Sequence, residues 1–363
     1  MQNTKVTYNN QNKSEFISEL KKNVANYFES NKISKFGNVN MVLKTIFMLS
    51  LYFVPYVLMI TGVFESWLTV FTLWILMGLG KAGIGMGIMH DANHRTYSRN
   101  PKVNKWLART LYLVGGFPAT WQRQHNTLHH GFTNIDGKDE DISPIVSILR
   151  FSPHKPLKKI HRYQHFYIWF FYSLMTLLWA TSKDFTQLFR YKKQNLPLSG
   201  KSSYSSLFTS LIISKIIYWS FFMVLPLVLL PFAWYSIVFF FLSMHFTSGI
   251  VLAIIFQTAH VVPTSEYPLP NEQGTIENSF AIHQLYNTSN FAPKNKVLSW
   301  YVGGLNHQIE HHLFPGVCHV HYSKISKMVK EMAEKYQLPY YEQPGFFVAL
   351  WGHVKMLKQL GRA

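Results

Sequence analysis

The sequence predicts an all-α membrane protein with four transmembrane helices, a cytoplasmic helical cap and interfacial helices. Hydrophobic residues make up 48% of the 363 residues and charged residues only 14%, against roughly a quarter in soluble domains. Four apolar runs have the length of about 20 residues that a helix needs to cross hydrocarbon. The chain has 17 histidines but a single cysteine, Cys318, so any metal would be held by imidazoles and carboxylates.

The apolar runs divide the chain into alternating polar and membrane segments. We expect the spans over residues 41–63, 67–89, 207–232 and 234–256. The resulting organisation is a cytoplasmic N-terminal segment (1–40), spans one and two (41–89), a cap segment (90–206), spans three and four (207–256) and a cytoplasmic C-terminal region (257–363). Residues 1–40 are polar and show no cleaved signal peptide.

The distribution of positive charge predicts the topology. The chain carries 35 Lys and Arg against 17 Asp and Glu, a formal net charge of +18. Only Lys44, Lys81 and Lys215 lie within spans, and the short links between spans one and two and between three and four carry no Lys or Arg. The positive-inside rule therefore places both ends of the sequence in the cytoplasm. Because this topology explains most of the excess charge, we expect no nucleic-acid partner. We expect Lys81 and Lys215 to extend their amines to the interface.

Two shorter apolar runs do not fit a span. Residues 166–180 are about 15 residues long and lie between basic segments, which is typical of a helix in the interface. Residues 106–117 form a similar run between two polar stretches, so we expect a short interfacial or re-entrant helix. If residues 166–180 crossed the membrane, His260 and His90 would lie on opposite faces.

The histidines form three clusters at the expected cytoplasmic ends of the spans. The clusters are HDANH (90–94), HNTLHH (125–130) and HQIEHH (307–312). Residues at i and i+4 share a helix face, so His90 and His94 can bind one ion, and adjacent histidines can reach two neighbouring ions. Eight imidazoles exceed the needs of one metal, which predicts two. His260 stands alone in sequence. Because four spans return the chain to its starting side, we expect His260, at the end of span four, on the same side as these clusters.

Several polar residues near the clusters are candidates to orient the ligating imidazoles. A carboxylate that accepts the second N–H of an imidazole fixes its tautomer and strengthens the donor nitrogen. His283 could fill such a role or a structural one, and a solvated loop is the alternative for the acidic run IDGKDEDI. The predicted supporting residues are Asp91, Asp139, Asp141, His283, Asn306 and Glu310.

The three clusters and their flanking residues resemble the membrane-bound fatty acid desaturases. The boxes occur in order with long spacers, and GFTNIDGKDEDI and GGLNHQIEHHLFPGVCHVHY are similar to the bacterial front-end, or linoleoyl-CoA, branch. The resemblance implies a non-haem di-iron centre that uses O2 to introduce a double bond into a fatty acyl chain. Front-end members have a glutamine at the Gln308 position, next to His307. The implied metal ligands are His90, His94, His125, His129, His130, His260, His307 or Gln308, His311 and His312.

The resemblance also implies partners and a location. The sequence has no HPGG haem motif, so we expect electrons from a separate carrier, a ferredoxin or a cytochrome b5-like protein docking on the basic face. The substrate is a fatty acyl chain, and the location is a bacterial inner membrane with a cytoplasmic active site. Zinc could occupy the site by mismetallation, since imidazoles bind zinc more tightly than ferrous iron.

Other functions remain open on the residues alone. A lipid hydroxylase or monooxygenase would use the same histidine chemistry. A non-enzymatic metal transporter would need polar ligands along the bilayer midplane, where spans three and four offer mainly Lys215 and His245. A haem-binding subunit would place paired histidines inside opposing spans, and a zinc protease would show HExxH.

Overall fold

The computed structural model describes residues 6–11, 13–144, 147–198 and 202–362, and their regular structure is mostly helical. In chain order the helices are α1 (Ser14–Ser30), α2 (Val39–Ile60), α3 (Trp67–Asn93), α4 (Pro101–Ala108), α5 (Leu111–Val114), α6 (Pro118–Gln122), α7 (Gln164–Ser173), α8 (Met175–Ala180), α9 (Lys183–Lys193), α10 (Tyr204–Leu229), α11 (Trp234–His260), α12 (Phe280–Asn287), α13 (Lys296–Tyr301), α14 (Gln308–Leu313), α15 (Tyr322–Lys335) and α16 (Phe346–Leu360). Short 3₁₀ helices cover Lys159–Tyr163 and His319–His321. Two parallel two-stranded ladders pair β1 (Thr7–Tyr8) with β2 (Thr275–Ile276) and β3 (Asn290–Phe291) with β4 (Glu342–Gln343).

Four of these helices are long and apolar enough to cross a membrane, which confirms the predicted fold class. They are α2, α3, α10 and α11, and they overlap the four predicted runs. The run at 166–180 divides into α7 and α8, and the run at 106–117 into α4 and α5. Each of these helices is 10 residues or shorter, too short to span hydrocarbon.

The chain forms two compact units. The first comprises residues 38–126 and 169–254 and is called the span unit below; the second comprises residues 1–37, 127–168 and 255–363 and is called the terminal unit. The span unit holds three of the long apolar helices whole and most of the fourth. The terminal unit holds the third histidine box and the second half of the second box.

Small residues let the first two spans approach closely. A Cβ atom added to Gly80 would lie 2.8 Å from the backbone nitrogen of Tyr52, and one on Gly83 would overlap the Sδ of Met48. Such glycines are typical of helix contacts inside membranes. Directly afterwards, α3 passes through a π-helical turn at Ile84–Ile88. A π-helical turn holds one residue more than an α-helical turn, which changes the side chains that face a neighbouring helix. Such turns are frequent at functional sites.

The two lysines of the span interiors are bound to neighbouring side chains, so the expectation that they reach the interface is wrong. Lys81 is fully buried, and its amine donates to the hydroxyl of Tyr218 at 2.7 Å and lies 3.2 Å from His245 Nδ1. Lys215 is also buried and pairs with Asp184 at 2.6 Å. A buried amine in apolar surroundings needs such partners. Each partner is distant in sequence from the lysine that it binds.

The terminal unit is built on an apolar cluster that α1 and α15 share with α12 and α14. Phe16 and Leu20 of α1 and Ile325 and Val329 of α15 are buried in it. Ile309 and Leu313 place α14, which carries the third histidine box, against the same cluster. The core therefore fixes α14 from its apolar side, and the histidines project from the rest of the helix.

Candidate metal centre

Three predicted ligands come together in the span unit. His90 and His94 lie one turn apart at the end of α3, with ring centroids 4.8 Å apart. The Nε2 atom of His125 lies 3.0 Å from that of His90. The ligand nitrogens of the three residues lie within 4.8 Å of one another, so the span unit brings together one trio from the first two boxes.

Neighbouring polar and aromatic side chains hold this trio. The indole of Trp121 stacks on His125, with centroids 4.4 Å apart. Gln122 donates to the side chain of Asn93 at 2.8 Å, and Asn126 donates to the Asn93 carbonyl at 3.0 Å. These contacts join the end of α3 to the segment carrying His125. Asp91 Oδ1 lies 3.8 Å from His90 Nδ1, beyond hydrogen-bond distance.

The terminal unit contains two further trios, and they share one residue. His129, His260 and His312 form the first, with centroid separations of 4.7 to 5.0 Å. His130 and His311 join His312 in the second, where the Nε2 atoms of His130 and His311 are 2.9 Å apart. All five rings are buried. His312 stands between the two groups and can contribute to either.

Carboxylates and amides bind the outer nitrogens of these imidazoles. Both Asp139 oxygens lie 3.2 Å from His129 Nδ1, and Asp141 lies 3.4 Å away. Asp139 is 1% exposed, so the acidic run is not simply a solvated loop. His260 Nδ1 donates to the Asn287 carbonyl at 3.2 Å. The outer nitrogens of His129 and His260 are thereby occupied, which directs their Nε2 atoms into the cluster.

Two supporting residues were missed by the sequence reasoning. Gln284 Oε1 accepts from His312 Nδ1 at 2.8 Å, and the Tyr322 hydroxyl lies 3.2 Å from His311 Nδ1. Gln284 precedes the third box by more than 20 residues, whereas Tyr322 closes the flank of that box quoted above. The only sequence signal for Gln284 is its position as a polar residue next to His283 in the largely apolar segment FAIHQLYN.

Three residues expected to support the ligands make other contacts. His283 donates from Nε2 to the Thr133 carbonyl at 2.8 Å, and burial lowers its pKa to about 4. Asn306 donates to Ser299 at 2.8 Å. Glu310 accepts from Asn290 at 2.8 Å and from Tyr340 at 3.0 Å. The partners in these contacts are residues outside the trios.

His307 and Gln308 have different surroundings in the structure. Gln308 hydrogen-bonds His260 through its side chain, which directs it toward the first trio of the terminal unit. His307 caps α14, its Nδ1 lies 3.7 Å from Glu310, and neither ring nitrogen has a hydrogen-bond partner among the described residues. Burial lowers the pKa of His307 to about 4. The glutamine, rather than the histidine, faces the imidazole cluster.

Two titratable groups of the terminal unit are strongly shifted. Burial lowers the pKa of His129, but Asp139 and Asp141 outweigh that effect and raise it to about 9. Burial raises the pKa of Glu310 to about 7, against the hydrogen bonds from Asn290 and Tyr340. A metal ion at His129 would displace a proton, because only the neutral imidazole can bind it.

The donor atoms fit metal ions that accept nitrogen ligands. Imidazoles and carboxylates without thiolate suit iron, zinc, copper or nickel. Two nitrogens bound at right angles to one ion at about 2.1 Å would lie about 3 Å apart. The Nε2 separations of 2.9 Å for His130 and His311 and 3.0 Å for His90 and His125 match that spacing.

Four apolar helices and clusters of buried imidazoles define a membrane protein with histidine groups able to hold metal ions. The family model for fatty acid desaturases matches residues 65–344. The chain therefore belongs to the fatty acid desaturase family, and it is an oxidoreductase that desaturates acyl chains.

Similar proteins cover nearly the whole chain. An sn-1 linoleoyl-lipid 6-desaturase of Arthrospira platensis is 33% identical over 95% of this chain and 92% of its own length. The enzyme of the same name from Synechocystis is 31% identical over 96% of both chains. An acyl-lipid (8-3)-desaturase of Physcomitrium patens is 33% identical over 96% of this chain and 72% of its own length.

Proposed function

We propose that the chain is an O2-dependent, non-haem di-iron desaturase that acts on acyl chains of membrane lipids. The observation that carries the metal assignment is the pair of imidazole trios in the terminal unit that share His312. The acyl-lipid substrate is supported by the names of the similar proteins, which act on lipid-linked chains. The proposed ligands are His90, His94, His125, His129, His130, His260, Gln308, His311 and His312.

The stoichiometry of the overall reaction determines how many electrons and protons the site must receive. Removing two hydrogens from adjacent methylene groups and reducing O2 to two waters requires two further electrons and two protons. An external carrier, a ferredoxin or a cytochrome b5-like protein, supplies the electrons. Two bound irons would provide the redox chemistry with O2 that no side-chain base can perform on an unactivated C–H bond.

The protein's own groups set the protonation of the ligands. Asp139 accepts the Nδ1 proton of His129, Gln284 that of His312 and the Asn287 carbonyl that of His260. Each bond fixes the tautomer that leaves Nε2 as the donor atom. These partners also stop the rings from rotating, so the trios are ready to bind metal without reorganisation.

Product analysis tests the proposal. The chain is expressed with an electron donor in a host that lacks the expected double bond, and its lipids are separated by class before mass spectrometry. We expect a new double bond in a lipid-linked chain, and no product from His312→Ala. His154→Ala is the matched control, since His154 is exposed and its ring bonds the Tyr267 carbonyl rather than a histidine of the trios.

Two outcomes would contradict the proposal. Unchanged lipids despite folded, iron-loaded protein and a working donor would refute the acyl-lipid substrate. A hydroxylated chain in place of a double bond would assign oxygen insertion to the same residues.

A further inference from the structure

The last helix of the terminal unit is apolar on the side that faces away from the protein. Ala349, His353 and Leu357 of α16 are buried, and His353 donates to the Val261 carbonyl at 2.8 Å. On the opposite side Phe347 is 79% exposed and Trp351 is 60% exposed. A helix on a water-exposed surface normally carries polar residues there.

A neighbouring segment of the same unit extends this apolar surface. Residues 157–166 expose Leu157, Ile160, Tyr163 and Phe166, the last by 69%. We call this segment together with the exposed side of α16 the apolar patch.

Two polar contacts join the segment to α16. Gln164 donates to the Leu357 carbonyl at 2.8 Å, and Arg150 donates to the Leu360 carbonyl. A Cβ atom added to Gly361 would overlap the His161 carbonyl, so the two backbones pack closely. The two parts of the patch therefore belong to segments that pack directly against each other.

The two segments that form the patch carry charges of a single sign. Residues 147–168 and 344–362 contain no Asp or Glu. Within them Lys158, Lys159 and Arg162 flank the first part, Lys355 and Lys358 lie in the second half of α16, and Arg362 follows that helix; all are exposed. Lys155 already pairs with Asp136 at 3.3 Å. Aromatic residues bordered by Lys and Arg are typical of helices that lie in a membrane interface.

We propose that the apolar patch docks in the headgroup region of a bilayer and that it selects anionic phospholipids. The aromatic first half of α16 enters the acyl boundary and the cationic second half binds lipid phosphates. A soluble acidic carrier protein fits the charges but would leave Phe347 and Trp351 in water whenever it dissociated. A bilayer covers them permanently, since the four spans already anchor the chain in one.

The test uses the full-length protein in lipid nanodiscs with a fluorophore on one engineered cysteine. Cys318 is buried, so bimane can be attached selectively to Trp351→Cys and, as the matched control, to Lys327→Cys on the exposed side of α15. The nanodiscs contain phosphatidylcholine alone or with phosphatidylglycerol, each with and without an acyl-chain spin label as quencher. We expect quenching at position 351, stronger with phosphatidylglycerol, and none at position 327.

A charge variant checks the lipid selectivity. Replacing Lys355, Lys358 and Arg362 by Gln should lower the quenched fraction at position 351 about fivefold or more in the anionic nanodiscs. Thermal unfolding of each variant confirms that the fold is intact. These measurements do not depend on desaturase activity, so their failure is distinct from failure of the proposed function.

Three results would overturn the proposal. The first is a bimane at position 351 that is not quenched, together with an unlabelled cysteine there that reacts with a water-soluble maleimide as fast as one at position 327. Equal quenching with and without phosphatidylglycerol would refute the selectivity for anionic lipid. Protection of position 351 only after an acidic carrier protein is added would assign the patch to that protein.

Discussion

At the scale of single residues, His312 has the most connected position in the terminal unit. It belongs to both trios there, whereas His130 and His260 each belong to one. Its outer nitrogen is held by Gln284 at 2.8 Å. The sequence indicated that adjacent histidines can serve two ions, but it could not identify which of the pairs His129/His130 and His311/His312 contains the shared residue. The identity of the shared histidine depends on the rotation of α14 about its axis, which is set by the apolar core that α14 packs against.

Replacing His312 should therefore remove more metal than replacing a residue of one trio. We expect His312→Ala to lose most of the metal bound in the terminal unit, and His130→Ala and His260→Ala to lose about half as much. Metal per protein after anaerobic iron loading, measured by mass spectrometry, checks this. Equal losses in the three variants would show that His312 is not shared.

His353 gives a pH dependence that is separate from the imidazole trios. It is buried in α16 and bonds the Val261 carbonyl at 2.8 Å, and burial lowers its pKa to about 4 from an unfolded value of 6.5. Its contribution to stability is complete above pH 6.5. It is lost as pH falls through 4, because the unfolded chain takes up the proton first.

The size of this effect can be measured with one variant. The difference between the folded and unfolded pKa values of His353 corresponds to about 3 kcal/mol of stability. We expect His353→Gln, which keeps a hydrogen-bond donor, to unfold with a shallower decrease in melting temperature between pH 6.5 and 4.5 than the parent chain. Parallel curves for the two proteins would show that His353 does not titrate in this range.

At the scale of helices, the sequence predicted the spans well and their polar contacts poorly. Four apolar runs are a local signal, so α2, α3, α10 and α11 lie where hydropathy placed them. The partner of Lys215 is Asp184, on α9, and Asp184 also accepts from Thr120 at 2.7 Å. Such a pairing depends on how helices pack, which periodicity does not reveal. The expectation of an amine reaching the interface was therefore wrong.

The pair Lys215 and Asp184 should be strongly coupled. Removing one partner leaves a buried charge, which costs about 3–5 kcal/mol, whereas removing both costs less. We expect Asp184→Asn and Lys215→Met each to lower the melting temperature more than the double variant does. A double-mutant cycle by thermal unfolding in detergent checks this, and additive losses would show that the two groups act independently.

Close packing of the first two spans gives a second prediction for helices. A methyl group on Gly80 would overlap the backbone of Tyr52, and relieving such overpacking costs about 1–3 kcal/mol. Gly80→Ala should therefore destabilise the chain, measured by the same unfolding assay. Gly316→Ala is the matched control, because nothing lies within 4 Å of its added Cβ. Equal stability of the two variants would refute the close contact.

At the scale of the whole molecule, charge and the number of spans together predict orientation. Four spans return the chain to its starting side, and 32 of the 35 Lys and Arg lie outside the predicted spans in segments that share one side. The two links that would face the opposite side carry no Lys or Arg. The same side would then hold the histidine boxes and receive electrons from the carrier. The charge pattern predicts this side to be the cytoplasm.

Reporter fusions in a bacterial host test that orientation. A fluorescent protein that folds only in the cytoplasm should be bright when fused after residue 206 or residue 363. Alkaline phosphatase, active only outside the cytoplasm, should be active after residue 64 or residue 233, in the two short links. These link fusions are the internal control, because they differ from the others by one span. An active phosphatase after residue 206 would place the second histidine box outside and remove any access for a cytoplasmic electron carrier.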